Sequence, residues 1–298
     1  MLVAMTACPT LAPLSRWLVT LTLLLGLAAC SDVGSREYFQ QSDEALRQAG
    51  KLRTDRVARD VSYGNADLVE HFLRVAFGEE YTLEGSRYVP LTQRGDAPLK
   101  RWGNGLRYWV ETDGTRTDDI AVEEFAERLA RTTRLSITEA RSQQSANLVV
   151  HFLDRSGRDR VEDRLSSDAD QSQMLELFTA WRDTPEWPCA SEFYYQPRNG
   201  SPPYQIEFAV IYIRDELSGI SRQSCIEEEM SQALGLARDD PTVRPSIFND
   251  DEEFALLTEH DALLLRILYD PRLRPGLTQA EALPIVQRVV GDLRPWAK

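Results

Sequence analysis

Residues Cys225–Leu236 read C-I-E-E-E-M-S-Q-A-L-G-L, and their periodicity decides how the chain is read. On an α-helix each residue turns by about 100°. With Glu228 at zero, Gln232 falls at about 40° and Glu229 at about 100°. Ile226, Met230, Ala233 and Leu234 gather between roughly 140° and 240°. One face of the helix therefore packs, and the opposite face presents Glu228, Gln232 and Glu229 together. Gly235 then permits a left-handed ending. A motif helix over about 221–236 follows from this pattern.

Working outward, Gln205–Arg214 alternates with apolar residues on both faces, which predicts a strand covered on both sides. Upstream, the periodicities predict a helix from Asn65 to Phe77 and a strand from Leu106 to Glu111. An amphipathic helix follows, with Val122, Phe125, Ala126, Leu129 and Ala130 as its stripe. Strands are expected at Leu135–Ala140 and Leu148–Leu153, and a helix at Gln171–Trp181. Downstream, helices are expected at Thr258–Leu268 and Thr278–Leu293, making residues 257–298 a helical C-terminal part. Helices interspersed among few strands suggest a layered α/β or α+β domain. His71 and His151 lie in apolar stretches and read as core histidines. The Glu227-Glu228-Glu229 run reads as a solvated acidic helix start.

The face carrying Glu228 and Gln232 has the geometry of a zincin active-site helix. There H-E-x-x-H sets two metal-binding histidines at i and i+4, with the intervening glutamate as general base. Overlaid here, the first ligand falls on Glu228, the base on Glu229 and the second ligand on Gln232. Gly235 takes the place of the motif glycine, and the third ligand falls on Arg238. Ser246-Ile247-Phe248-Asn249 looks like the Met-turn of metzincins, with Phe248 where methionine would stand. Gln205–Arg214 resembles the edge strand that holds extended peptide in those enzymes. These motifs, with Leu257–Leu273, resemble a zincin-like family of bacterial lipoproteins defined as a domain of unknown function. That resemblance implies an α+β fold, with a small mixed sheet, an edge strand packed against the motif helix and a helical C-terminal part, and the motif itself, but no activity.

The departures from the motif bear on function. A hydrolytic zinc wants three good ligands and an open position. The overlay offers one carboxylate, one amide and one guanidinium, and a guanidinium repels a metal. Glu229 without an activated water has little to deprotonate. The expectation is a degenerate metal site of Glu228, Gln232 and Arg238 with no catalytic residue and no cofactor. Its pocket would bind a peptide, a glycan or an envelope protein. The alternative is an atypical, peptidase-like metallohydrolase with oxygen ligands from Glu228, Asp239 and Asp240, joined by His260. In that case Glu229 is its base, and zinc or calcium is the ion. Calcium would suit such oxygens better than zinc. A third reading, an acidic surface helix in a structural envelope protein, needs no site at all.

The amino terminus reads as an address. Trp17–Ala29 is almost wholly apolar yet short for a membrane span, so residues 1–29 fit a signal peptide. Leu27-Ala28-Ala29-Cys30 resembles a bacterial lipobox, which makes Cys30 the lipid attachment point. Ser31 after it favours the outer membrane, with the protein facing the periplasm. Residues 30–60 read as a lipidated tether, and residues 61–298 as a single domain. Of the remaining cysteines, Cys189 and Cys225 form an even pair, which in an oxidising compartment reads as one disulfide. The net charge of −13 counts against a nucleic-acid partner. Hydrophobic residues at 42% and charged residues at 27% argue against wholesale disorder and a polytopic membrane protein.

Overall fold

The computed structural model describes residues 33–78, 81–84, 87–90, 97–112, 116–168, 171–195, 204–249 and 251–294. The signal-like stretch and Cys30 lie outside the described residues. Helices α1 (Arg36–Gln48) and α2 (Asn65–Ala76) come first. The short strands β1 (Tyr81–Glu84), β2 (Arg87–Pro90) and β3 (Arg101–Trp102) follow. The central part runs β4 (Leu106–Thr112), α3 (Arg116–Thr133), β5 (Ile137–Glu139), β6 (Leu148–Leu153), α4 (Arg155–Ser166) and α5 (Ser172–Asp183). It continues through β7 (Cys189–Tyr194), β8 (Gln205–Ile206), β9 (Phe208–Arg214) and α6 (Gly219–Gln232). The chain finishes with α7 (Glu259–Leu268) and α8 (Gln279–Leu293).

Five strands form the main sheet in the order β5-β4-β6-β9-β7. Four are parallel, and β7 runs antiparallel to β9 along one edge. The fold is α+β, with a mixed sheet and a helical C-terminal part. β6 and β9 lie inside the sheet with both faces covered, as their continuous apolar runs require. On one face Leu148, Val150, Phe152, Ala209, Ile211 and Ile213 join the large core with α3 and α6. On the other, Leu153, Val210 and Tyr212 pack against Val161 and Leu165 of α4 and Phe178 and Trp181 of α5.

Three expectations are corrected. The edge strand is β7, not Gln205–Arg214. That stretch divides into β8, paired with β3, and β9, which is interior because its two apolar faces both need cover. The expected tether is folded onto the domain from residue 33: Phe39 and Leu52 are buried, and Arg53 bridges Phe254. Glu227 is not a solvated helix start. The helix begins eight residues earlier, at Gly219, and Glu227 is wholly buried. The Arg56 guanidinium donates to both its oxygens at 2.6 and 2.7 Å, and the Leu257 N–H and the Gln223 amide add further bonds. A buried carboxylate survives only when paired in this way.

Candidate functional site

Helix α6 is fixed from three sides. Ile226, Met230, Ala233 and Leu234 are buried on its packing face, as its periodicity requires. Arg222 makes a two-pronged bond to Asp118 of α3, both contacts at 2.7 Å. At its end, the carbonyls that lack helical donors are taken by the Trp102 indole N–H, which bonds Ala233, and the Tyr269 hydroxyl, which bonds Leu234. Gly235 then turns the chain with φ +114°, and a Cβ there would stand 2.4 Å from the Lys100 carbonyl. The glycine is thus a requirement of the backbone path.

The disulfide Cys189–Cys225 binds the start of β7 to the middle of α6. Between these elements lies a cavity of about 200 Å3. Ser224, Glu228, Glu229 and Gln232 of α6 form one wall. Cys189, Ala190, Ser191 and Glu192 of β7 form another. Asp239, Ile247, Asn249, Glu252 and Phe254 close it from the loops after α6. The Arg214 N–H donates to the Pro188 carbonyl at 3.1 Å, and the β7–β9 register runs from Cys189↔Ile213 to Tyr194↔Phe208. Antiparallel alternation therefore turns the backbone groups of Cys189 and Ser191 away from β9, toward the edge of the sheet.

Glu229 is the unusual group here. It is 6% exposed, and its Oε2 has no hydrogen-bond partner. Burial pushes its carboxyl up to about 8; the Ser191 side chain, hydrogen-bonded to it, pulls the other way, and the Asp239 charge pushes further up. The Gln232 amide nitrogen donates to Asp239 Oδ1 at 3.0 Å. The turn at Ser246–Asn249 is pinned beneath. The Ser246 hydroxyl and the Ile247 N–H donate to Asp261, and the Asp240 N–H donates to the Phe248 carbonyl. Phe248 is fully buried, and its neighbours Ile247 and Asn249 reach the cavity.

The cavity thus gathers Glu228, Glu229, Gln232 and Asp239 from the sequence-predicted set. It does not gather Arg238, Asp240 or His260. The Arg238 side chain packs over Gly78 beyond α2. Asp240 is held by Thr242 and, at 3.3 Å, by Arg74. His260 is wholly enclosed in α7, with its Nε2 2.9 Å from His71 Nδ1 and its ring edge-on to Tyr63. Among the described residues no group of three or more His, Cys, Asp or Glu side chains is arranged to hold a metal ion. The donors around Glu229 are the Glu228 and Asp239 carboxylates and the Gln232 amide, which is already bonded to Asp239, a set that does not suit a zinc ion. Sequence reasoning missed Ser191, Glu192 and Phe254; a signal toward β7 was the pairing of Cys189 with Cys225.

A family model described as "Protein of unknown function (DUF2927)" matches residues 65–288, and the chain belongs to that family. No curated protein matches the chain.

Proposed function

For this member of a family without an assigned activity, we propose a binding protein built on a degenerate zincin-like fold, which holds an extended peptide and does not cleave it. The observation that carries this reading is the pairing of an antiparallel edge strand, β7, which pairs with no further strand among the described residues, with a cavity walled by the Glu228–Gln232 face of α6. The chain order β4, α3, β5, β6, β7, β9 and α6, with α4 and α5 inserted between β6 and β7 and the short β8 before β9, supports a zincin-like reading. The pinned Ser246–Asn249 turn beneath the cavity supports the same reading.

An edge strand offers unpaired N–H and C=O groups, and an extended peptide satisfies them by adding a strand. Main-chain bonds then give affinity, and a pocket beside the edge gives selectivity. Hydrolysis is not supported by the donor set. Gln232 and Arg238 stand where two ligands belong, the amide is already bonded to Asp239, and the guanidinium lies over Gly78. The Glu229 carboxyl, raised to about 8, is mostly protonated at neutral pH and so is poorly suited to act as a base. The N-terminal reading completes the proposal: a lipid on Cys30 would tether the domain to the outer membrane, facing the periplasm.

The test is incubation of the soluble domain with a mixture of short capped peptides, followed by separation and mass spectrometry. Retained, uncut peptides are expected, and N-methylation of alternate backbone nitrogens should abolish retention. Cleavage products, or retention indifferent to N-methylation, would overturn the reading. Substitution of Cys30 by alanine should release the full-length protein from the membrane fraction, and unchanged fractionation would refute the anchor.

A further inference from the structure

We propose that β7 accepts only a short stretch of extended peptide, paired at Cys189 and Ser191, and that Glu192 is the residue that limits it; this rests on the peptide-binding reading above. The strand register sets which groups are available. Pairing with β9 takes the main-chain groups of Ala190 and Glu192, so those of Cys189, Ser191 and Phe193 face the edge of the sheet. Neither Cys189 nor Ser191 makes a main-chain hydrogen bond on that side among the described residues. Each brings one N–H and one C=O, so the two alternate residues offer four bonds.

Both ends of this stretch are closed from within the protein. Beyond Ser191, the Phe193 N–H donates to Glu192 Oε1 at 3.0 Å. The side chain of one residue thus takes the edge donor of the next. Before Cys189, the Trp187 N–H donates to the Thr184 carbonyl at 3.0 Å, and the Trp187 carbonyl accepts from Arg214 Nε at 2.8 Å. Pro188 between them has no N–H to offer. The pairing stretch is therefore Cys189–Ser191, about 7 Å long at the usual rise of a strand.

A bounded edge selects for length. An added strand gains its main-chain bonds opposite Cys189 and Ser191, and ordering its further residues costs conformational entropy without that return. At Phe193 the carbonyl of a longer strand would meet a carboxylate, an acceptor where it needs a donor. Charged side chains on sheet edges limit continued pairing in this way. The occupant is a separate peptide and not a second copy of the chain, because two copies each carrying a net charge of −13 repel one another.

The experiment is amide hydrogen exchange of the full-length chain, followed by peptide titration. In the wild type the Ser191 amide should exchange at least about tenfold faster than that of Phe193. Glu192→Ala should speed exchange at Phe193 by at least about tenfold, and Glu192→Gln, whose side-chain oxygen still accepts, should keep most of the protection. Equal exchange at Ser191 and Phe193, or a Phe193 amide indifferent to Glu192→Ala, would overturn the bounded edge. The probes are capped Thr-Val-Thr and a capped nine-residue repeat of it. The longer probe should bind the wild type less than about threefold more tightly, and Glu192→Ala at least about fivefold more tightly. A gain of about tenfold or more on the wild type would overturn the limit. Binding of neither probe, with the exchange pattern as expected, would leave the Glu192 cap standing and overturn the peptide-binding reading. Protection of Cys189 and Ser191 that grows with protein concentration would make a second copy the occupant and overturn the separate peptide.

Discussion

The Gln232 side-chain amide donates to Asp239 Oδ1 across 3.0 Å, so the side chain that the proposed zincin overlay sets at a second ligand position is already satisfied inside the protein. Glu228 stands one helical turn earlier on the same face and lines the same cavity. Replacing both, Glu228→His with Gln232→His, recreates an i, i+4 imidazole pair with Asp239 beside it. The double variant should bind zinc at least about tenfold more tightly than the wild-type chain, which is about 1.4 kcal/mol by titration calorimetry. A folded double variant with unchanged zinc affinity would mean that this face is not a relic of a metal site.

The Arg56–Glu227 pair joins the N-terminal segment to α6. Glu227 has no exposure, whereas Arg56 keeps 30% of its side chain in contact with water. Arg56→Ala strands a carboxylate that the Gln223 amide and the Leu257 N–H still reach. Removing one partner of a buried pair costs about 3–5 kcal/mol; the partial exposure of Arg56 favours the lower end. Denaturant unfolding should detect it, and a loss below about 1 kcal/mol would show that water replaces the guanidinium.

The Cys189–Cys225 bond closes a loop with a sequence separation of 36. In the chain-entropy model such a closure stabilises by about 3–4 kcal/mol. The double serine variant should lose roughly that amount in urea unfolding. It should also bind peptide more weakly, since β7 and α6 are the two walls of the cavity.

Two buried groups give opposite pH slopes. Glu229 ionises at about 8 in the folded chain, against about 4.5 for an ordinary glutamate. Between those values the folded state holds more protons than the unfolded state, so stability falls as pH rises through that window. Glu229→Gln should therefore raise Tm at pH 8 by at least about 2 °C, and should change it little below pH 4.5. His71 behaves in the other direction. Burial first, and then His260, lower its pKa to about 4 from the ordinary 6.5. The unfolded state binds more protons between those values, so this contribution is lost as pH falls from 6.5 toward 4. His71→Gln should flatten the acid limb of a Tm-against-pH curve. Persistence of both slopes in the two variants would assign them to other groups.

The helices were legible wherever a continuous apolar stripe existed. The face of α6 that bears Glu228, Glu229 and Gln232 followed directly from a turn of about 100° per residue. Glu227 was not legible, because its meaning depends on Arg56, 171 residues away. Helix α4 escaped notice because it is polar almost throughout, with Val161, Leu165 and Gly157 as its only buried residues. Strand β7 escaped because, as an edge strand beside Trp187 and Pro188, it is mostly half-buried and does not alternate. The interior place of β9 was present in its two apolar faces. A resemblance to edge strands had pointed the other way, and burial decides between the two.

The central claim is that this chain keeps the frame of a metallohydrolase site without its metal chemistry. The direct measurement is metal content of the purified, tag-free domain by inductively coupled plasma mass spectrometry, with no chelator at any step. The account predicts far less than one transition-metal ion per chain. Near-stoichiometric zinc, lost together with any peptide cleavage on treatment with a chelator, would contradict it.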